Sequence, residues 1–205
     1  MAAFVAAAWP SRAESLPPAA ETGECSLEGA VPATVAAVDA DFELLLDDGR
    51  RAALAGLDFP RPEMAELRAA IHSRLSSWLA GRDIFLGASS SAVDRWGRAP
   101  ARIYASPAEG GVSAPLTSVA AALLSAGDAR FRPNPAAAAC AKAYLAAEAP
   151  AREAGLGVWS RPEFRPIDVA APGAVDDLKR RQGMIVVVGD IRSVGESKRA
   201  FYLNF

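Results

Sequence analysis

From Pro32 onward the apolar positions come in short runs separated by turn-forming residues. Thr34–Val38 is followed by Asp39-Ala40-Asp41, Phe42–Leu46 by Asp47-Asp48-Gly49, and a third run covers Arg50–Leu57. This spacing predicts an antiparallel meander, with Asp-Asp-Gly as a hairpin turn. The period then changes. Met64, Leu67, Ala70, Ile71, Leu75, Trp78 and Leu79 recur at three-and-four spacing and predict a helix over Pro62–Ala80, stopped by Gly81. Arg82–Ala88 and Ala101–Ala105 return to strand character and bracket a polar loop, Ser89–Pro100. Two further helices are expected over Leu116–Ala126 and Pro135–Ala154, with Pro150 set to kink or divide the second and Trp159 closing the core behind it. Residues 161–182 are rich in proline and alanine and read as a linker. Residues 183–205 offer only two strand-like runs, Met184–Val188 and Ala200–Phe205, and two strands do not make a stable unit, so an incomplete β module is expected there.

Composition narrows the function. The 205 residues are 51% hydrophobic and 22% charged, enough apolar surface for a core and far from the composition of disordered chains. A net charge of −2 excludes a histone-like polycation that binds phosphates over its whole surface. The charge is uneven: residues 1–60 carry three basic and ten acidic side chains, a balance of −7, which leaves +5 for the remainder. One histidine and two cysteines exclude a Cys₄ or Cys₂His₂ zinc site from a single chain. No run is long and apolar enough to predict a spanning helix. Residues 1–24 open with an apolar run, Met1–Trp9, and Ser11-Arg12-Ala13 has the small-x-small pattern of a cleavage site; a leader and export to a periplasmic or secreted location are expected. In that setting Cys25 and Cys140 pair as one disulfide; otherwise they are two buried thiols.

The motifs carry more than the composition. Val38-Asp39-Ala40-Asp41, Leu54-Ala55-Gly56-Leu57-Asp58-Phe59-Pro60, Asp94-Arg95-Trp96-Gly97-Arg98 before Ile103-Tyr104, and Ala147-Glu148 through Gly155-Leu156-Gly157-Val158-Trp159-Ser160 stand in a fixed order. They resemble the successive signature blocks of the staphylococcal-nuclease-like (thermonuclease) family over about residues 31–160. The resemblance implies an α+β fold, an OB-fold five-stranded β-barrel with three helices, over residues 25–160, with the partial β module after it. It also implies Ca²⁺-dependent phosphodiester hydrolysis, in which carboxylates hold the metal, a carboxylate base activates water and two guanidinium groups neutralise the phosphorus oxygens. On that resemblance the metal ligands fall on Asp41 and Asp58, with the Phe59 carbonyl, and one clamp arginine falls on Arg98.

Two positions depart from the pattern. Arg61 stands where the family's general-base glutamate is expected, and a guanidinium cannot accept the water's proton. Ala53 stands where the other clamp arginine is expected. Arg51 lies on the same strand face two residues earlier, ~6.6 Å away along the strand, within reach of a long side chain. Glu63 falls at the helix start, where a carboxylate complements the helix dipole more simply than it serves as a base. Arg61 is expected to pair with Asp58 or Asp41 and take the place of the soluble cation. Asp41 and Asp58 are metal ligands or turn formers with equal claim. Arg95, Trp96, Arg102 and Tyr104 interleave cations and aromatics, as a surface that stacks bases does, or as a solvated loop with one packed Trp does. His72, in the middle of the first predicted helix, reads as a structural or surface residue.

The sequence therefore predicts an exported, thermonuclease-like protein with an impaired hydrolytic site, binding single-stranded nucleic acid or another anion in its groove and holding Ca²⁺ weakly or not at all. One alternative is an active Ca²⁺-dependent phosphodiesterase using Arg51 and Arg98. Another is an envelope protein-interaction module.

Overall fold

The computed structural model describes residues 25–87, 93–109, 114–198 and 200–205. The expected leader, residues 1–24, lies outside them. In chain order the first elements are β1 (Val31–Val38), β2 (Leu44–Leu46), β3 (Arg51–Leu54), β4 (Leu57–Asp58), α1 (Ala65–Leu79), β5 (Asp83–Gly87) and β6 (Arg98–Ala105). There follow β7 (Thr117–Ser118), α2 (Val119–Ala126), β8 (Arg130–Phe131), a 3₁₀ turn over Pro135–Cys140 and α3 (Ala141–Glu153).

Strands β1, β2 and β3 form the expected meander, and the Asp47-Asp48-Gly49 turn closes with Gly49 N–H donating to the Leu46 carbonyl at 3.0 Å. Strand β1 is long enough to serve two neighbours. Its first half pairs with β5 and its second half with β2, with a bulge between Val35 and Ala37 that bends the strand between them. β5 pairs with β6, and β6 returns to β3 in parallel, Arg51 opposite Arg98 and Leu54 opposite Ala101. The order β1-β2-β3-β6-β5 thus closes on itself into a five-stranded mixed barrel, consistent with an OB-like fold.

Alternation explains what fills it. Val35, Leu44, Leu46, Ala52, Ile84, Ala101 and Ile103 point inward and are buried, and Ile71, Leu75, Trp78 and Leu79 on one face of α1 complete the same core. The predicted helix begins three residues after Pro62, at Ala65. Thr117 and Ser118, read from sequence as the start of a helix, instead pair with β6, and the Ser118 hydroxyl accepts the Ala121 N–H at 3.2 Å as the cap of α2. Pro150 does not divide the third helix. The break falls earlier, where the 3₁₀ turn ends at Cys140, and α3 runs on through Pro150 to Glu153.

A second core joins α2, α3 and β8 through Leu124, Phe131, Ala137 and Tyr144, and it contains the disulfide Cys25–Cys140, with Cα atoms 4.8 Å apart. Glu148 stitches α3 to β8: its Oε1 accepts the Phe131 N–H at 2.7 Å, and the residue is 3% exposed. Burial pushes this carboxyl above its ordinary value, against the opposing pull of the Phe131 N–H and of the Arg152 and Arg130 charges. A raised carboxyl makes the folded chain hold its proton more tightly than the unfolded chain does. Its contribution is then largest below the unfolded-state value and falls as pH rises through the folded one. Glu148→Gln keeps an oxygen for the Phe131 N–H, so it should melt at or above the unmodified protein at neutral pH, with the gap closing in acid. A variant that melts lower at pH 7 would show that the ionised carboxylate is favoured where it stands.

The stretch read as a linker is packed. A 3₁₀ turn at Pro162–Phe164 buries Phe164 against Trp159, β9 (Ile167–Asp168) buries Ile167, and α4 (Ala174–Arg180) buries Ala174. Arg181 closes the loop by donating to the Pro162 and Glu163 carbonyls at 3.0 and 3.2 Å. The described helices are therefore four rather than three. Next, β10 (Val187–Val188) pairs in parallel with β9, and β11 (Ser193–Glu196) forms an exposed hairpin with β12 (Phe201–Asn204).

Candidate functional site

The barrel brings three charged side chains to one point on its outer face. Arg51 opens β3 and Arg98 opens β6, and the parallel pairing makes them neighbours in register. Glu43, just before β2, lies on the same face as Arg51 and reaches both. Its Oε1 accepts from Arg98 Nη1 at 2.8 Å and its Oε2 faces Arg51 Nη2 at 3.2 Å. Each arginine is braced from behind by a second carboxylate: Asp39 pairs with Arg51, and Asp94 Oδ2 accepts from Arg98 Nε at 2.7 Å. Asp39, Glu43 and Asp94 against Arg51 and Arg98 leave this group one negative charge in excess.

Local backbone chemistry fixes every member. Asp39 Oδ1 accepts the N–H groups of Asp41 and Glu43 at 2.9 and 3.0 Å, and the Glu43 carbonyl accepts the Asp39 N–H at 2.9 Å. This tight turn places Phe42 at φ +64°, a left-handed conformation that costs a side chain of this size about 1–3 kcal/mol. Burial offsets it, since the Phe42 ring is 2% exposed and stacks on Phe59 at 4.1 Å. Asp94 organises its own loop through Oδ1, which accepts the Trp96 and Arg98 N–H groups at 2.9 and 3.0 Å. Burial pushes the Asp94 carboxyl up, but those two bonds and the Arg98 guanidinium outweigh it and hold it below its ordinary value. Arg98 is held protonated more firmly than usual by Glu43 and Asp94.

Beside the clamp, Trp96 stands 59% exposed with the Arg95 and Arg98 guanidinium carbons 3.9 and 4.6 Å from its ring. Of the four residues expected to face a ligand, Arg95 and Trp96 are therefore on the surface. Tyr104 is not. It is 1% exposed and its hydroxyl donates to the Ser26 carbonyl at 3.3 Å, so it has no ring face to offer a base. Arg102 alternates to the same side of the sheet as Tyr104 and is 9% exposed. His72 is structural as read, its Nε2 donating to the Val38 carbonyl at 3.1 Å.

The two carboxylates assigned to a metal each have another partner. Asp58 Oδ2 accepts from Arg130 Nη2 at 2.5 Å, across the β4–β8 pairing that sets the two residues opposite each other. Asp41 is exposed and meets Arg68 Nη2 at 3.3 Å, while Arg68 itself donates to the Pro60 and Ala40 carbonyls at 2.5 and 2.6 Å. Among the described residues no group of three or more His, Cys, Asp or Glu is arranged to hold a metal ion. Calcium takes six to eight oxygens, and a carboxylate committed to a buried guanidinium is a poor donor, so these residues do not fit Ca²⁺. The expected partner of Arg61 is also different. Its Nη2 donates to the Gln182 carbonyl, and the cation beside Asp58 is Arg130, which is 3% exposed, donates to the Met184 carbonyl at 3.0 Å and covers the Phe164 ring at 4.6 Å. Sequence reasoning missed Arg130 because a two-residue strand places it, and Arg61 turns away from Asp58 to the Gln182 carbonyl.

Glu43 is the other residue that the motif reading passed over. The signal was present: it is the one charge inside the apolar run Phe42–Leu46, at the position whose alternation matches Arg51 across the hairpin. Fold and site together define an OB-like barrel protein with a two-arginine surface clamp filled by its own carboxylate. No protein-family model matches the chain, and no curated protein matches it.

Proposed function

We propose that the protein is a thermonuclease-like OB barrel that recognises phosphodiesters of single-stranded nucleic acid, or a related anion, without hydrolysing them through calcium. The observation that carries this reading is the Arg51–Glu43–Arg98 bracket. Two guanidinium groups from adjacent strand starts converge on a pair of oxygens, the arrangement that binds the two free oxygens of a phosphate. Trp96 and Arg95 beside it supply a stacking face and a further cation, the combination that tracks single strands without reading sequence. The motif order over residues 31–160 supports the same relationship. Asp41 and Asp58, engaged by Arg68 and Arg130, and Arg61 in place of a base argue against the hydrolytic alternative. The Cys25–Cys140 disulfide favours an oxidising compartment, periplasmic or secreted. Among the described residues no helix is long and apolar enough to cross a membrane.

The test separates binding from turnover. A single-stranded DNA octamer should bind with an affinity that falls steeply as salt rises. Trp96→Ala, which removes an exposed ring and leaves the core untouched, should weaken binding about 5- to 100-fold, the worth of one stacked base, with no change in melting temperature. No Ca²⁺-dependent cleavage of DNA or RNA should appear above background. Turnover that a chelator abolishes and that Asp41→Ala removes would establish the phosphodiesterase instead.

A further inference from the structure

If Arg51 and Arg98 bind phosphate, the clamp already contains an anion. The Glu43 side chain is 10% exposed, and both of its oxygens are taken, one by each guanidinium. Its position is not adjustable through the backbone, because the Asp39 side chain and main chain hold Glu43 from both sides and the buried Phe42 ring anchors the turn before it. The arginines do not need Glu43 for support, since Asp39 and Asp94 brace them from behind. Glu43 therefore stands where an incoming phosphate would place its two free oxygens.

Resting on the anion-binding reading of this site, we propose that Glu43 is a tethered carboxylate that occupies the two-arginine clamp, and that a phosphate binds by displacing it. A group on a short tether competes at an effective concentration of about millimolar or more, so the resting clamp holds anions more weakly than two arginines otherwise would. Displacement needs only side-chain rotation, because the strand pairings that position Arg51 and Arg98 are independent of the Glu43 carboxylate. Glu43 thus sets the affinity threshold of the clamp without being needed to position the two arginines.

The measurement is calorimetric titration of an unphosphorylated deoxythymidine octamer into the full chain, at fixed pH and salt, for the unmodified protein and for Glu43→Gln. The amide keeps the volume but cannot present a charged oxygen to each arginine, so Glu43→Gln should bind about tenfold more tightly or better, with a steeper salt dependence. A residue whose role is only to hold the clamp together would give the reverse. Equal or weaker binding by a folded Glu43→Gln protein, while the unmodified protein binds, overturns the displacement and leaves the anion site intact. Failure of both forms to bind overturns the anion site as well. A second readout needs no variant: the carbon-13 resonance of the Glu43 carboxylate should move on saturation with the octamer, and a resonance that stays in place while the octamer binds shows that Glu43 was never displaced.

Discussion

Gly157→Ala is expected to destabilise the protein by about 2–5 kcal/mol, the sum of a left-handed-backbone cost and an overpacking cost. Gly157 has φ +51°, and a Cβ built on it would sit 2.1 Å from the Gly127 carbonyl oxygen and 2.6 Å from the carbonyl carbon. Those are backbone atoms and cannot swing aside. The contact is mutual, because a Cβ on Gly127, at φ +73°, would lie 2.5 Å from the Leu156 carbonyl oxygen. At this crossing the end of α2 meets the chain leaving α3, and the Val158 N–H donates to the Gly127 carbonyl at 2.8 Å. The neighbouring Trp159, 2% exposed, then drops into the core it shares with Phe164. Denaturant unfolding of Gly157→Ala should show the loss as a lower midpoint at unchanged slope. An unfolding free energy within about 0.5 kcal/mol of the parent, the spread of a neutral surface change, would mean that the two segments separate without cost.

Removing the disulfide is expected to be comparably severe. Cys25 and Cys140 are 3% and 0% exposed, and the bond closes a span of 115 residues. Loop-closure entropy for such a span corresponds to about 4–5 kcal/mol in the chain-entropy model, and native disulfides in small exported domains are worth about 2–5 kcal/mol. Cys25 also belongs to the second core, beside Ala55, Leu124 and Tyr144. A Cys25→Ala, Cys140→Ala double variant loses the cross-link and two packed sulfur atoms, and should lower the unfolding free energy by about 3–5 kcal/mol. Coincident unfolding curves for the oxidised and reduced protein would show instead that residue 25 is held by packing alone.

The barrel was legible because its signals are local. The short apolar runs Thr34–Val38 and Phe42–Leu46, the Asp-Asp-Gly turn and the three-and-four spacing from Met64 to Leu79 each depend on neighbours a few residues away. The elements they predict are present, with ends displaced by a few residues where a pairing partner intervened, as Thr117 and Ser118 were drawn into the sheet by Tyr104 and Ala105. The disulfide partners were legible by count alone, since two cysteines allow one pairing.

What the sequence by itself determined is the order of short strands and helices; of the cation and aromatic positions it set on one surface, Arg95 and Trp96 are exposed, while Arg102 and Tyr104 are buried. What only the tertiary structure decided is which charge meets which. Asp58 meets Arg130 across 72 residues, Arg98 meets Glu43 across 55 and Arg61 meets Gln182 across 121, and none of those separations leaves a periodic trace in the chain. Ion pairing follows distance and shared burial, and these follow from long-range pairing: the parallel return of β6 to β3 sets Arg51 beside Arg98, and the β4–β8 pairing sets Asp58 opposite Arg130. The two carboxylates that the resemblance assigned to a metal face cations brought by other elements, Arg68 on α1 beside Asp41 and Arg130 on β8 opposite Asp58.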